Sequence, residues 1–315
     1  MAARRLGSEG PYVGPVGLGC MGLSWAYSES YRDDDRSVAV IESALDHGVT
    51  FFDTADVYGE GHNEELVGRT LRKHRHEVVL ATKVGLVVDD SPARTMHRNG
   101  TPEHIETAVD ASLLRLGDEA IDLYYLHRVD ENVPLAESWG AMASLVEKGK
   151  VRWLGLAEVT AAQAAEAHAI HPVRAIQSEF SLWTREPQED VVDWCAANGA
   201  AFVPFAPLGR GYLNGAVAAA TGPENVRVGH GRLTDASVEA NQRIVDVVRA
   251  VAGRHRATPA QIAIAWVLAQ GEHVIPIPGT NSRRYLQENV GAARVVLTGE
   301  DLHDLAVTPA RVGSR

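Results

Sequence analysis

Three ionisable residues stand directly after apolar runs of the kind that form buried strands. Asp53 follows Val49–Phe52, Lys83 follows the run from Val78, and His127 follows Ile121–Leu126. Gln177 follows Ile176 in the same way, and Tyr58 lies five residues past Asp53, in a loop long enough to swing its hydroxyl over the ends of the strands. Singly, each has an ordinary account: a strand-end Asp caps a loop, and a Tyr packs. Together they form a proton-transfer set. A phenol has a pKa of ~10 and donates poorly at neutral pH, and a buried ammonium beside it should lower that value. Asp53 would hold Lys83 charged, and His127 would hydrogen-bond a substrate oxygen. Tyr58 could then protonate a carbonyl oxygen as hydride reaches the carbon, or act as base in reverse. The chain uses Lys only at 73, 83, 148 and 150 while Arg is abundant. That marks Lys83 as a site needing a compact ammonium rather than a guanidinium.

Such a set needs a scaffold that delivers several strand ends to one face. Apolar runs recur through the chain at Val16–Leu18, Val49–Phe52, Val78–Ala81, Ile121–Leu126, Val151–Leu156, Arg174–Ile176, Ala201–Val203 and Val274–Ile277. Amphipathic helical stretches separate them, which points to a parallel sheet covered by helices. Val38, Ile41 and Leu45 repeat at helical spacing behind the acidic Asp33–Asp35. Thr101-Pro102 starts a second helix, and Thr160…Gln163 and Thr258-Pro259…Gln261 read as capping boxes. Trp139, Met142, Leu145 and Val146 line one face of another, which Gly149 ends. Eight strands with no linker between them predict a single (β/α)₈ barrel domain over residues 1–315, with a doubly wound open sheet as the alternative. The stretch 214–237, rich in Gly, Ala and Thr, reads as a long functional loop.

Other chemistries are excluded. Gly17-Leu-Gly19-Cys-Met-Gly22 has the spacing of a dinucleotide fingerprint, but no helix can start at its third glycine, because the helical pattern begins near Asp33. There is no phosphate loop and no nucleophile elbow, and the paired histidines lack metal-site spacing, so no metal is expected. With 30 basic and 41 acidic residues the net charge is −11, which disfavours nucleic acid and anionic membranes as partners. No apolar stretch reaches the ~18 residues of a membrane span, and two cysteines make no disulfide framework, so the expected location is the cytoplasm.

The residues quoted above sit in longer motifs: Phe52-Asp-Thr-Ala-Asp-Val-Tyr58-Gly, Leu80-Ala-Thr-Lys83, Ile121-Asp-Leu-Tyr-Tyr-Leu-His127-Arg, Gly149-Lys-Val-Arg-Trp-Leu-Gly155-Leu and Ile277-Pro-Gly-Thr280 with Glu288-Asn289. Over essentially its whole length the chain resembles the aldo-keto reductases. Gly19-Cys-Met-Gly22 and Pro204-Phe-Ala-Pro-Leu-Gly-Arg-Gly211 look most like the branch near the pyridoxal reductases and small-aldehyde reductases. The resemblance implies a (β/α)₈ barrel that binds NADP(H) without a Rossmann fold, with Asp53, Tyr58, Lys83 and His127 as catalytic tetrad. It implies further that Gly19, Cys20 and Met21 lie along the cofactor, that Phe205 stacks on nicotinamide and that Gln177 binds its carboxamide. Ala206, Pro207, Leu208, Gly209 and Gly211 would form the loop over the pyrophosphate. Gly279, Thr280 and Asn281 would hold the adenosine 2′-phosphate with help from Arg283 and Arg284, and Glu288 and Asn289 would contact adenine. Four positions depart from the pattern. Ala157 stands where related sequences have Ser, Glu158 where many have Asn, Ala206 where Ser is common, and Asn281 where Lys or Arg is common.

Trp25, Tyr27, Arg128 and Trp183 are candidates for the wall of a substrate pocket, and aromatic walls suit an apolar or planar carbonyl compound. The expected activity is NADPH-dependent reduction of an aldehyde or ketone. A dedicated biosynthetic reductase or dehydrogenase of a sugar or natural product shares the mechanism. A regulatory subunit of a channel is the non-enzymatic alternative. The oligomeric state is left open.

Overall fold

In the computed structural model, residues 2–24, 32–89, 95–214 and 235–308 are described, with backbone alone for 235–240. Seven parallel strands run in sequential order: β1 Leu18–Gly19, β2 Phe51–Asp53, β3 Val79–Val84, β4 Ile121–Leu126, β5 Val151–Ala157, β6 Val173–Glu179 and β7 Ala201–Phe205. Helices α1 Asp34–Asp46, α2 His62–Leu71, α3 Pro102–Leu116, α4 Leu135–Glu147, α5 Ala161–Ile170 and α6 Asp193–Asn198 follow successive strands. After β7 come α7 Asp235–His255 and α8 Pro259–Leu268, then α9 Arg283–Gly291 and α10 Gly299–Ala306. Among the described residues no helix is long and apolar enough to cross a membrane.

The helix starts follow the side-chain chemistry. Asp33 accepts from the Arg36 N–H at the head of α1, Thr101 caps α3, and Thr160 and Thr258 form capping boxes with Gln163 and Gln261. Among the described residues the first α-helix begins at Asp34, and a short 3-10 turn, Met21–Leu23, follows the glycine-rich stretch, so no α-helix starts at its third glycine.

The run Val274–Ile277 does not become an eighth strand, though it occupies that place. Ile275 and Ile277 donate to Phe202 O and Pro204 O of β7 at 2.8 and 3.0 Å, while Gly17 beside β1 donates to Pro276 O at 2.9 Å. Single bridge pairs link Phe202 to Val274 and Gly19 to Gly279. The cause lies in Pro276 and Pro278. In an extended chain alternate residues point their N–H groups the same way, and the two prolines remove the donors that would have faced β1. The sheet is therefore nearly closed, with a thin ladder at the seam.

Period-two alternation sorts the side chains. Phe51, Val79, Ala81, Leu123, Tyr125, Ala175, Ala201, Val203, Ile275 and Ile277 point inward, and Leu6 and Val13 of an N-terminal hairpin (Arg4–Arg5 paired with Tyr12–Val13) join them from below. Their neighbours, among them Phe52, Leu80, Tyr124, Leu126, Leu154, Ile176 and Phe202, pack outward against the helices. Gly155 leaves room for the Tyr125 ring inside the barrel, since a Cβ there would lie 2.5 Å from it.

Candidate active site

The inward parity continues to the strand ends. Phe51 leads to Asp53, Val79 and Ala81 to Lys83, Leu123 and Tyr125 to His127, and Ala175 to Gln177. These polar groups thus converge on the axis at the C-terminal end of the barrel. Lys83 is fully buried. Its Nζ donates to Asp53 Oδ1 at 2.5 Å, to Thr54 O at 2.7 Å and to the Tyr58 hydroxyl at 3.3 Å. Three acceptors around one ammonium leave no place for a planar guanidinium. Gln177 Nε2 donates to the other Asp53 oxygen at 2.8 Å. The His127 ring meets Tyr58 edge-on, centroids 5.9 Å apart, and its Nδ1 is buried without a hydrogen-bond partner.

Tyr58 opens a short 3-10 turn, Tyr58–Gly61, in which Gly59, Glu60 and Gly61 all have positive φ. The chain reverses there and leads into α2. Asn63 on α2 pins the approach, bonding Thr54, Cys20 O and Ser24 at 2.6, 2.9 and 2.7 Å.

The electrostatics differ from the expectation at one point. Lys83 does pull the Tyr58 phenol down, but burial is the larger effect and the phenol ends above its usual range, with Asp53 adding to the rise. Tyr58 is therefore a protonated donor at neutral pH. Burial opposes the Lys83 charge, yet the oxygens of Asp53 and Tyr58 outweigh it and hold the ammonium above its ordinary range. Burial pushes the Asp53 carboxyl up, against the pull of Lys83 and Gln177. His127 is held well below the usual range by burial, then by Lys83 and Arg128, so the ring is neutral with one N–H and one lone pair.

The cofactor candidates frame this centre. Gly19 lies against the closing segment, where a Cβ would come 2.7 Å from Ile277 O. Cys20 is buried, donating its N–H to Asp53 O at 2.8 Å, and Met21 begins the turn beyond it. Phe205 ends β7 on the inward parity, and Ala206 follows with φ 49°. Pro207, Leu208, Gly209 and Gly211 form the next turn. Gly279 leads out of the closing segment to the half-buried Thr280 and the exposed Asn281, and Arg283, Arg284, the half-buried Glu288 and the buried Asn289 lie on α9. No side chain caps α9: the Ser282 hydroxyl makes no such bond, and Thr280 Oγ1 accepts from the Ser282 N–H instead. The first N–H groups of α9 are thus open to an anion.

Of the pocket-wall candidates, Arg128 donates to His127 O at 2.6 Å, and its charge is felt by both His127 and Tyr58. Trp183 packs behind the 207–211 turn. It is 3% exposed, its ring packs 4.1 Å from that of Tyr212, and a Cβ at Gly209 would meet it at 2.6 Å. It supports the 207–211 turn from beneath. Trp25, Tyr27 and most of the 214–237 stretch lie outside the described residues.

Two residues escaped the reading of the sequence. Arg210, with φ 57°, pairs with Glu179 Oε2 at 3.2 Å while its Nε is buried without a partner. Asp56, inside the Asp53–Tyr58 motif, also keeps an orphaned buried oxygen. Only the second carried a signal, an acid between two site residues in an apolar context.

Comparison with known proteins decides the lineage. A model of the aldo/keto reductase family matches residues 15–307. The chain belongs to that family. It is 43% identical over 303 residues to "Probable aldo-keto reductase 1" of Glycine max, covering 96% of this chain and 87% of that one. It superposes on the glycerol dehydrogenase of Gluconobacter oxydans with a TM-score of 0.87 at 29% identity, covering 97% and 95% of the two chains. An aldo-keto reductase of Bacillus halodurans in its holo form matches with a TM-score of 0.80 at 26% identity, over 97% and 95%. This aldo/keto reductase therefore has the (β/α)₈ barrel of its relatives and is an oxidoreductase of the family that reduces small carbonyl compounds with a nicotinamide cofactor.

Proposed function

We propose that this barrel, one domain over residues 1–315, is a cytoplasmic NADPH-dependent reductase that converts an aldehyde or ketone to an alcohol, with Tyr58 as general acid. The observation that carries the reading is the Tyr58 hydroxyl lying 3.3 Å from an ammonium that Asp53 holds at 2.5 Å, at the mouth of the barrel. The donors present suit the cofactor. The uncapped start of α9, with Arg283 and Arg284 in its first turn, offers backbone N–H groups and charge to a 2′-phosphate. Gly279, Thr280 and Asn281 would flank it, and Glu288 and Asn289 would face adenine. Arg210 Nε and the 206–211 turn would take the pyrophosphate, while Phe205 and the Gln177 amide would position nicotinamide. The chemistry that a nicotinamide held there would supply is hydride for the carbonyl carbon.

The chain's own residues do the rest. Neutral His127 hydrogen-bonds the carbonyl oxygen and aims it at Tyr58. Tyr58, kept protonated by burial, gives up its proton as negative charge develops on that oxygen. Lys83 stabilises the phenolate left behind, and Asp53 keeps Lys83 in place. Arg128 and the neighbouring wall set which carbonyl compound fits. The similarity to a glycerol dehydrogenase makes glycerol and other polyols the first alcohols to try in the oxidative direction.

Replacing Tyr58 by Phe tests the assignment. Turnover should fall by ~10²–10⁴-fold, the usual worth of a positioned proton donor, while NADPH affinity measured by fluorescence stays close to wild type. Ordinary turnover by that variant would remove Tyr58 from the mechanism.

A further inference from the structure

A second polar cluster lies back to back with the site, on the outer face of β3. Thr82, the residue before Lys83, points away from the axis and donates to Glu64 Oε1 of α2 at 2.6 Å. Glu64 is fully buried, and Arg115 of α3 donates to its other oxygen at 2.6 Å. That pair is charge-neutral. Asp56 is the second acid in reach. Its own N–H donates to Lys83 O at 3.3 Å, so it is strapped to the backbone of the residue that bonds Tyr58. Its Oδ1 is sealed from solvent and has no hydrogen-bond partner. Tyr124 of β4, on the same outer face, is within electrostatic reach of both Asp56 and Glu64.

We propose that Asp56 is a positioning residue held as a neutral carboxylic acid, and that its proton keeps the loop 54–57, and with it Tyr58, seated on β3. The inference rests on the reductase reading above and names a residue of the same site. An ionised Asp56 would add a second carboxylate beside Glu64, whose charge Arg115 already balances. The one backbone N–H that favours that charge, from Val57, does not balance it, and Asp56 Oδ1 has no donor, so the charge would draw water under the loop that carries Tyr58.

The surrounding charges agree in sign. Burial first, then the Glu64 carboxylate, push the Asp56 carboxyl up to about 8, against the Val57 N–H, Arg115 on α3 and Lys83 on β3. Tyr124 on β4 is neutral throughout, since burial lifts its phenol well above the ordinary range. A raised acid is protonated below its pKa, so the seated loop is the neutral and acidic form and is lost as pH rises through about 8.

Two readouts test this on the full chain. The first is infrared difference spectroscopy of the protein alone. A protonated-carboxyl stretch should be present at pH 7, vanish by pH 9.5 and be missing at both pH values in Asp56→Asn. The second is the pH profile of kcat with any aldehyde that the protein reduces. Wild type should lose about threefold or more of kcat between pH 7 and 9, whereas Asp56→Asn, which cannot ionise, should keep its own pH 7 value to within about twofold. Asp56→Ala, with no group to fill the place, should lose kcat at every pH with little change in the KM for NADPH, and Asn should rescue it. The absence of the carboxyl band at pH 7, or an Asp56→Asn profile that tracks wild type, would overturn the proposal. The infrared arm needs no turnover, so a band that behaves as described in a protein reducing no carbonyl compound would support the neutral acid and count against the reductase reading alone.

Discussion

The two ends of this barrel are built from the same strands and differ in what they leave unsatisfied. At the N-terminal end the hairpin closes the floor. Arg4 donates to Leu268 O, Gly271 O and Val274 O at 2.9, 2.6 and 2.5 Å, tying the end of α8 to the turn and segment that follow it, and Ser8 donates to Gly199 O. At the C-terminal end, buried polar atoms of Asp56, His127, Trp183 and Arg210 have no partner. Among the described residues, four of the five non-glycine residues with positive φ, Glu60, Glu158, Ala206 and Arg210, lie in the loops above the strands. A cleft of about 760 Å³ opens beside the floor, but its titratable lining, Arg4, Arg5, Tyr12, Cys195, Glu272 and His273, holds no ammonium bonded to both a carboxylate and a phenol as Lys83 is. Size is a poor guide to chemistry here. Unspent hydrogen-bonding capacity and local strain mark the end that holds the candidate site.

The comparison predicts that substitutions at the two ends separate activity from stability. The largest effect should come from Lys83. Lys83→Met should lower kcat/KM by ~10²-fold or more, and Lys83→Arg should be nearly as damaging, because Asp53, Thr54 and Tyr58 surround a space shaped for an ammonium. Steady-state kinetics across pH decide it, and an Arg variant with the wild-type profile would make Lys83 structural. At the floor, Arg4→Ala should cost ~1–3 kcal/mol in denaturant unfolding while kcat holds, since three carbonyls lose a donor and the groups of the candidate site lose nothing. A fall in kcat with unchanged stability would erase the contrast.

Cofactor choice gives a smaller effect. Asn281 puts no charge beside the start of α9, where Arg283 and Arg284 are exposed. NADPH should still bind tighter than NADH, by about tenfold, with strong salt dependence. Asn281→Arg should widen the preference and Arg284→Ala narrow it, read by fluorescence titration at two ionic strengths. Equal affinities in low salt would mean that this turn does not read the phosphate. The smallest effect compares two helix starts. Thr258→Ala should cost ~1 kcal/mol because it breaks a capping box, whereas Ser282→Ala should leave the melting temperature nearly unmoved because no cap exists there.

Much of this was legible in the residues because strands and caps are local. Seven of the eight apolar runs became strands, and parity alone carries Asp53, Lys83, His127 and Gln177 to one axis. What was not legible depends on partners distant in the chain. The phenol of Tyr58 was expected to drop under Lys83, but its burial, set by the whole mouth of the barrel, raises it instead. Trp183 reads the same in sequence whatever it packs on, and its contacts with Tyr212 and Gly209 come from a turn that no local pattern announces. The Glu179–Arg210 pair joins residues 31 positions apart through a loop conformation that no periodicity announces. The eighth run was misread for a local reason within view, the prolines at 276 and 278.

The thin seam between β7 and β1 has a consequence for the birth of the molecule. Translation delivers β7 by Phe205, but the segment that joins it to β1 arrives roughly 70 residues later, ~4–14 s at ~5–20 residues per second. Through that interval the nascent sheet has two bare edges, with the carbonyls of Phe202 and Pro204 and the N–H of Gly17 still waiting for residues 275–277. Bare edges recruit other strands. A ribosome stalled anywhere between β7 and Val274 would release an intermediate whose hazard is aggregation, and chaperone demand should concentrate in that window.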